Sequence, residues 1–182
     1  IKDTDDDDFI MLSDNDEIPN LDSEEFKKNK NDIVIFNQLF FYFKFNLLYD
    51  RMLWPGTKGC RKKNLKSFSW LRNIKFKKYP IWRIDTYFSN TKYSNLNIIN
   101  DGGWHFTNLK SPEDMFEKFM NFGHHDEFKL SGITVDKIRD KISKREMFYD
   151  HFADKSSKNK WNSDYKLKKI DPDLLPIYLT NN

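Results

Sequence analysis

Two aspartates one residue apart, Asp14 and Asp16, follow the apolar run Phe9-Ile10-Met11-Leu12 and precede Glu17-Ile18-Pro19. The run reads as a buried strand, and the acidic residues as the turn it leads into. Adjacent carboxylates repel each other and weaken a strand, so a pair at its C-terminal end serves best to hold something cationic. In open α/β sheets that edge is where ligands bind. Two hard oxygen ligands, with nucleotide phosphates completing the shell, suit Mg2+ or Mn2+. For D-x-D taken alone, an acidic helix start with Asp16 or Glu17 near the positive helix end is the simpler alternative.

Two further clusters carry chemistry. In Asp101-Gly102-Gly103-Trp104-His105 the paired glycines permit close backbone approach or positive φ. Trp104 offers a flat apolar face of the kind that packs on sugar rings, and His105 a nitrogen for metal or phosphate. A hairpin turn followed by a core tryptophan explains the same residues. His124-His125-Asp126-Glu127-Phe128 can supply a general base, a metal ligand or only solvated charge. The chain has no H-E-x-x-H, P-loop, G-x-G-x-x-G or G-x-S-x-G motif. Serine and cysteine hydrolases therefore have no support, and Cys60 has no visible activating partner.

The elements that must position these residues are readable in part. Asp22 or Ser23 can cap a short helix through Glu24, Glu25 and Phe26. Residues 33–46 are aromatic and β-branched on both alternating faces, which predicts one long buried strand or a hairpin. Trp54-Pro55-Gly56-Thr57 reads as a turn, and residues 81–88 and 96–99 as strands. Ser111-Pro112-Glu113-Asp114 is a helix start, with Met115, Phe116, Phe119 and Met120 as a core face and Gly123 as its end. Thr134 caps a second helix bearing Val135, Ile138 and Ile142 on one face. Residues 150–169 read as a polar loop, residues 170–179 as a more apolar closing segment, and no repeat is visible.

The 182 residues suffice for one domain with a real core, and a single domain over 1–182 is the expectation. Charged residues make up 32%, and Lys, Asn, Ile and Phe are abundant where Ala and Gly are scarce. That pattern fits AT-rich coding sequence, so a net charge of +3 is no sign of nucleic-acid binding. A lone cysteine excludes an internal disulfide and a cysteine zinc site. No apolar run reaches membrane-spanning length. The chain opens on Ile1 directly before a strand, which predicts a fragment lacking its upstream part.

Taken in order, S-D-N-D-E-I-P (13–19), W-P-G-T-K (54–58), D-G-G-W-H-F-T (101–107), H-H-D-E-F (124–128) and L-L-P-I-Y-L (174–179) resemble glycosyltransferase family 17. This is the family of the β-1,4-N-acetylglucosaminyltransferase that adds bisecting N-acetylglucosamine to N-glycan cores. The similarity spans residues 9–179 and is weak between 65 and 95; Asn15 stands where relatives commonly carry an aliphatic. The resemblance implies an α/β, GT-A-like nucleotide-diphospho-sugar transferase fold, here the C-terminal portion of a truncated catalytic domain. It implies inverting transfer from UDP-GlcNAc to a glycan or glycoprotein acceptor, with Mn2+ or Mg2+ as cofactor. Asp16 would be the direct metal ligand, and Asp14 would contact ribose or metal-bound water. Glu127 would be the base, with Asp126 in reserve. His105 would meet metal or diphosphate, Trp104 would pack on a sugar, and Trp54 and Lys58 would touch donor or acceptor. The competing readings are a glycan-binding relative without turnover, a single-strand nucleic-acid binder using residues 58–78 with Phe68, Trp70 and Phe76, and a glycoside hydrolase. Carboxylates one residue apart cannot flank a glycosidic bond, which disfavours the last.

Overall fold

The computed structural model describes residues 3–121, 125–153 and 160–180. In chain order the strands are β1 (Phe9–Leu12), β2 (Glu17–Pro19), β3 (Ile33–Tyr42), β4 (Leu47–Leu48), β5 (Trp54–Arg61), β6 (Leu96–Ile99), β7 (Gly103–Thr107) and β8 (Lys168–Lys169). The helices are α1 (Glu24–Lys27), α2 (Phe68–Asn73), α3 (Pro112–Met120), α4 (His125–Ser131), α5 (Val135–Lys144) and α6 (Ile177–Thr180). The architecture is mixed α/β, with parallel and antiparallel strand pairs. Two compact units divide the chain: residues 1–40 with 52–105, and residues 41–51 with 106–182.

In the first unit β3 is the central strand. β5 runs antiparallel to it, with Ile33 opposite Cys60, and β6 runs parallel, with Ile33 opposite Leu96. β1 adds to β5, antiparallel, with Leu12 opposite Lys58. Successive β3 side chains enter different cores, as strand alternation requires. Ile33 and Ile35 pack with Cys60, Leu71, Ile74 and Leu96, while Val34 and Phe36 pack with Ile99, Phe9, Met11 and Phe26. Burial on both faces is why residues 33–42 are apolar nearly throughout. Burial also pushes the Cys60 thiol up to about 11.

Of the expected long strand or hairpin, the hairpin form occurs. Phe43 takes a φ of +68°, and β4 returns with Leu48 opposite Phe41. Residues 54–57 are not a turn but the start of β5. Pro55 sits at an irregularity in the β3–β5 register, where a missing N–H costs no regular ladder bond. Gly56 lies so close to β3 that a Cβ would stand 2.0 Å from the Gln38 amide oxygen. Residues 81–88 are not a strand either. After Pro80 the chain turns and forms a short 3-10 helix, Ile84–Thr86, closed by an Arg83–Asp85 ion pair with contacts of 2.7 Å. β6 forms where a strand was expected.

In the second unit α3, α4 and α5 surround an aromatic cluster. Phe119, Phe128 and Trp161 lie with ring centroids 5.2 to 5.5 Å apart, and Phe148 stacks on Trp161. Met115 and Phe119 are buried on α3, and Ile138 on α5. Ser111 and Thr134 cap these helices by accepting from the amides of Asp114 and Lys137, as Ser23 does for α1 from Phe26. Gly123, the expected helix end, lies outside the described residues. β8, at the end of the expected polar loop, pairs antiparallel with β4. Residues 154–159 of that loop also lie outside the described residues. No helix among the described residues is long and apolar enough to cross a membrane.

A Cβ at Gly102 would meet the Asn37 backbone nitrogen at 2.4 Å and its oxygen at 2.6 Å. Backbone cannot rotate away as a side chain tip can. Gly102→Ala is therefore expected to lower unfolding free energy by about 1–3 kcal/mol, read from urea denaturation.

Candidate functional site

The turn between β1 and β2 is closed from both ends. The Glu17 amide donates to the Asp14 carbonyl at 3.2 Å, and the Asp14 amide donates to Glu17 Oε2 at 3.1 Å. Asp14 thus points its carboxylate to solvent, where it pairs with the Arg72 guanidinium on α2. Antiparallel pairing of β2 with β7 sets Glu17 opposite His105. This brings His105 Nδ1 to 3.7 Å from an Asp16 carboxylate oxygen. The tip of one motif and the end of another, far apart in sequence, therefore share one place.

Trp54, at the start of β5, completes the cluster. Its indole N–H donates to Glu17 Oε1 at 2.9 Å, and its ring stacks on the buried His105 imidazole with centroids 4.5 Å apart and planes 9° from parallel. Phe40 packs against both rings. Beneath them runs a string of polar groups. The Ser13 and Thr57 hydroxyls are 2.6 Å apart, Gln38 Nε2 donates to Thr57 at 3.3 Å, and the Thr57 hydroxyl lies 3.5 Å from Glu17 Oε2. Burial raises the Glu17 carboxyl above its ordinary value. The Trp54 and Asp14 hydrogen bonds oppose that rise, and the charges of Asp14 and Asp16 add to it.

A cleft of about 140 Å³ opens here, lined by Leu12, Asp14, Glu17, Trp54, Pro55, Gly56, Lys58 and Arg72. Whole small-molecule sites run to about 300–1,000 Å³, so this cleft takes part of a ligand. Lys58 lines it, but its ammonium donates to the carbonyls of Arg72 at 2.5 Å and Ile74 at 2.8 Å, closing the C-terminal end of α2. Burial lowers the Lys58 pKa. Trp104, half-buried and opposite Ile18, follows strand alternation to the face away from His105. The aromatic rings packed on His105 are those of Trp54 and Phe40.

Asp126 and Glu127 belong to the second unit, in the first turn of α4. Glu127 forms an ion pair with the buried Lys160 ammonium. Asp126 Oδ1 lies 3.2 Å from His125 Nε2 at an exposed position. His124 lies outside the described residues. Among the described residues no group of three or more histidine, cysteine, aspartate or glutamate side chains is placed to hold a metal. Asp14 and Asp16 are hard oxygen donors of the type a divalent cation takes, and Asp14 has the Arg72 guanidinium as its counter-ion. Mg2+ characteristically takes one or two carboxylates and completes its shell with phosphate and water.

Glu17, Thr57, Gln38 and Arg72 were not singled out by sequence reasoning. Glu17 had a signal, since it is the third acid of the same motif. The other three have none, because their place follows from strand register and from where α2 docks. The chain matches no protein-family model, no curated protein and no solved structure.

The raised Glu17 pKa has a definite sign in stability. The unfolded chain releases this proton near the ordinary value of 4.5, and the folded chain only at higher pH. The folded state therefore binds more protons between the two, and Glu17's contribution falls as pH rises through that window. Glu17→Gln, which keeps an acceptor for Trp54, is expected to flatten the fall. Urea unfolding midpoints of both proteins between about pH 4 and pH 7 check this.

Proposed function

We propose that the first unit carries the donor end of an inverting N-acetylglucosaminyltransferase of GT-A-like architecture, acting on UDP-GlcNAc and a glycan hydroxyl. One observation carries this reading. Residues from the motifs at 13–19, 54–58 and 101–107 converge on one turn at a strand's C-terminal edge, around Glu17, Trp54 and His105. The order of these motifs underlies the likeness to family 17, and their meeting in space is what a shared donor site requires.

Each residue has a physical task. Asp14 and Asp16 would hold the cation, which when bound supplies Lewis acidity to the departing diphosphate. Arg72 stands at the same edge with a planar fork of donors suited to phosphate oxygens. Trp54 presents an aromatic surface at the cleft, and its bond to Glu17 fixes the ring's tilt over His105. The stacked rings and Phe40 keep water from the inner side of the turn, where hydrolysis would compete with transfer. The resemblance gives the acceptor-hydroxyl base to Glu127, which the second unit holds against Lys160.

Calorimetry with UDP-GlcNAc tests the donor end without needing turnover. Saturable binding that requires Mn2+, disappears in Asp16→Asn and weakens by about tenfold in Trp54→Ala is the expected result. No binding in the presence of Mn2+, or full binding by Asp16→Asn, would overturn the reading. In a transfer assay Glu127→Gln is expected to lower kcat by about a hundredfold or more. A loss under about tenfold removes the base assignment alone.

A further inference from the structure

The segment between Lys75 and Tyr93 forms a loop whose large apolar side chains are left in water. Its ends are tied by backbone bonds, Lys75 N to Thr91 O at 2.8 Å and Tyr79 N to Tyr93 O at 3.1 Å. Some of its charged groups pair with one another: Asp85 accepts from Arg83 at 2.7 Å and from Lys92 at 2.8 Å. Amide donors of Arg83, Thr86 and Tyr87 are satisfied within the loop, and the Tyr87 hydroxyl donates to the Ile81 carbonyl at 3.3 Å. The apolar side chains face outward. Ile81, Trp82, Ile84, Tyr87 and Phe88 are 71% to 86% exposed. A loop that satisfies its own backbone while offering water five large apolar side chains presents a contact surface.

Its charge identifies the partner. Lys75, Lys77 and Lys78 stand exposed at the foot of the loop, and among the described residues no carboxylate pairs with them. Lys77, Arg83 and Lys92 all lie within 5.9 Å of the Tyr79 ring centroid, and Asp85, which pairs with Arg83 and Lys92, is the one carboxylate in residues 75–93, so the loop carries a net positive charge. Tryptophan and tyrosine beside aliphatic residues, backed by lysines, is the composition that enters the headgroup layer of an anionic bilayer. A nucleic-acid single strand asks instead for aromatic platforms lining a cationic groove, and Ile81 and Ile84 give it nothing to stack on. We propose that the loop at residues 75–93 docks the protein on an anionic lipid surface, with Trp82 and Phe88 entering the interface and Lys75, Lys77 and Lys78 facing phosphates. This inference does not depend on the transferase reading.

Vesicle sedimentation tests it, using phosphatidylcholine alone and phosphatidylcholine with about one third phosphatidylserine. The intact chain is expected to partition at least about tenfold more strongly onto the phosphatidylserine vesicles, and to lose that preference at high salt. Trp82→Ala with Phe88→Ala should reduce partitioning by about tenfold or more. Lys77→Glu with Lys78→Glu should bring it down to the phosphatidylcholine level, since each lysine near the surface is worth about fivefold. All four positions are exposed, so circular dichroism should show both variants folded. Failure to pellet with either vesicle, or pelleting that neither variant changes, would overturn the proposal. So would salt-sensitive retention of a single-stranded oligonucleotide without vesicle binding, which would assign the loop to nucleic acid. A concentration-dependent dimer lost in Trp82→Ala/Phe88→Ala, again without vesicle binding, would overturn it in favour of self-association.

Discussion

The constraint on which the first unit depends is that β3 has no solvent face. Ile33 and Ile35 fill one core while Val34 and Phe36 fill another, so a one-residue slip in register would drive each set into the wrong core. Both lateral edges are occupied as well, by β5 and β6. A strand held on four sides makes a fixed reference. β5 carries Trp54 along one edge of it, and the end of β6 leads through Gly102, pressed against the Asn37 backbone, into His105. The turn after β1 is placed by the same chain of pairings, since β1 registers on β5. The cluster of Asp16, Glu17, Trp54 and His105 thus follows from a hydrophobic requirement satisfied elsewhere.

How much of this was legible depends on whether the deciding signal is local. β1, β3 and β6 show as apolar runs, and Ser23, Ser111 and Thr134 announce their helices because a cap acts within three residues. Trp54-Pro55-Gly56 looks like a turn in isolation. It is a strand because Gln38 needs the space a side chain at position 56 would fill, and no local pattern reports that. Residues 81–88 look like a strand because their apolar residues suggest burial, yet no strand among the described residues pairs with them and their apolar side chains face water. In the site, Asp14, Asp16, Trp54 and His105 were readable as types able to do chemistry. That Trp54 covers His105, while Trp104 turns away, is a matter of strand parity and β5 register.

The electrostatics of the turn show a balance between holding and offering charge. Glu17 is drawn inward by Trp54 and the Asp14 amide at the cost of a raised pKa, while Asp14 stays in solvent with Arg72 as counter-ion. One acid serves as a strut and its neighbours remain accessible. A substitution at Glu17 therefore alters the shape of the turn, whereas one at Asp14 alters its charge.

Cys60 lies at no exposed surface, and burial holds its sulfur in the protonated form far into the alkaline range. An alkylating reagent added to the native protein would find almost no thiolate to attack. Covalent labelling at this single sulfur should then proceed only through openings that separate β5 from β3. The chain carries a built-in clock for the breathing of its own sheet.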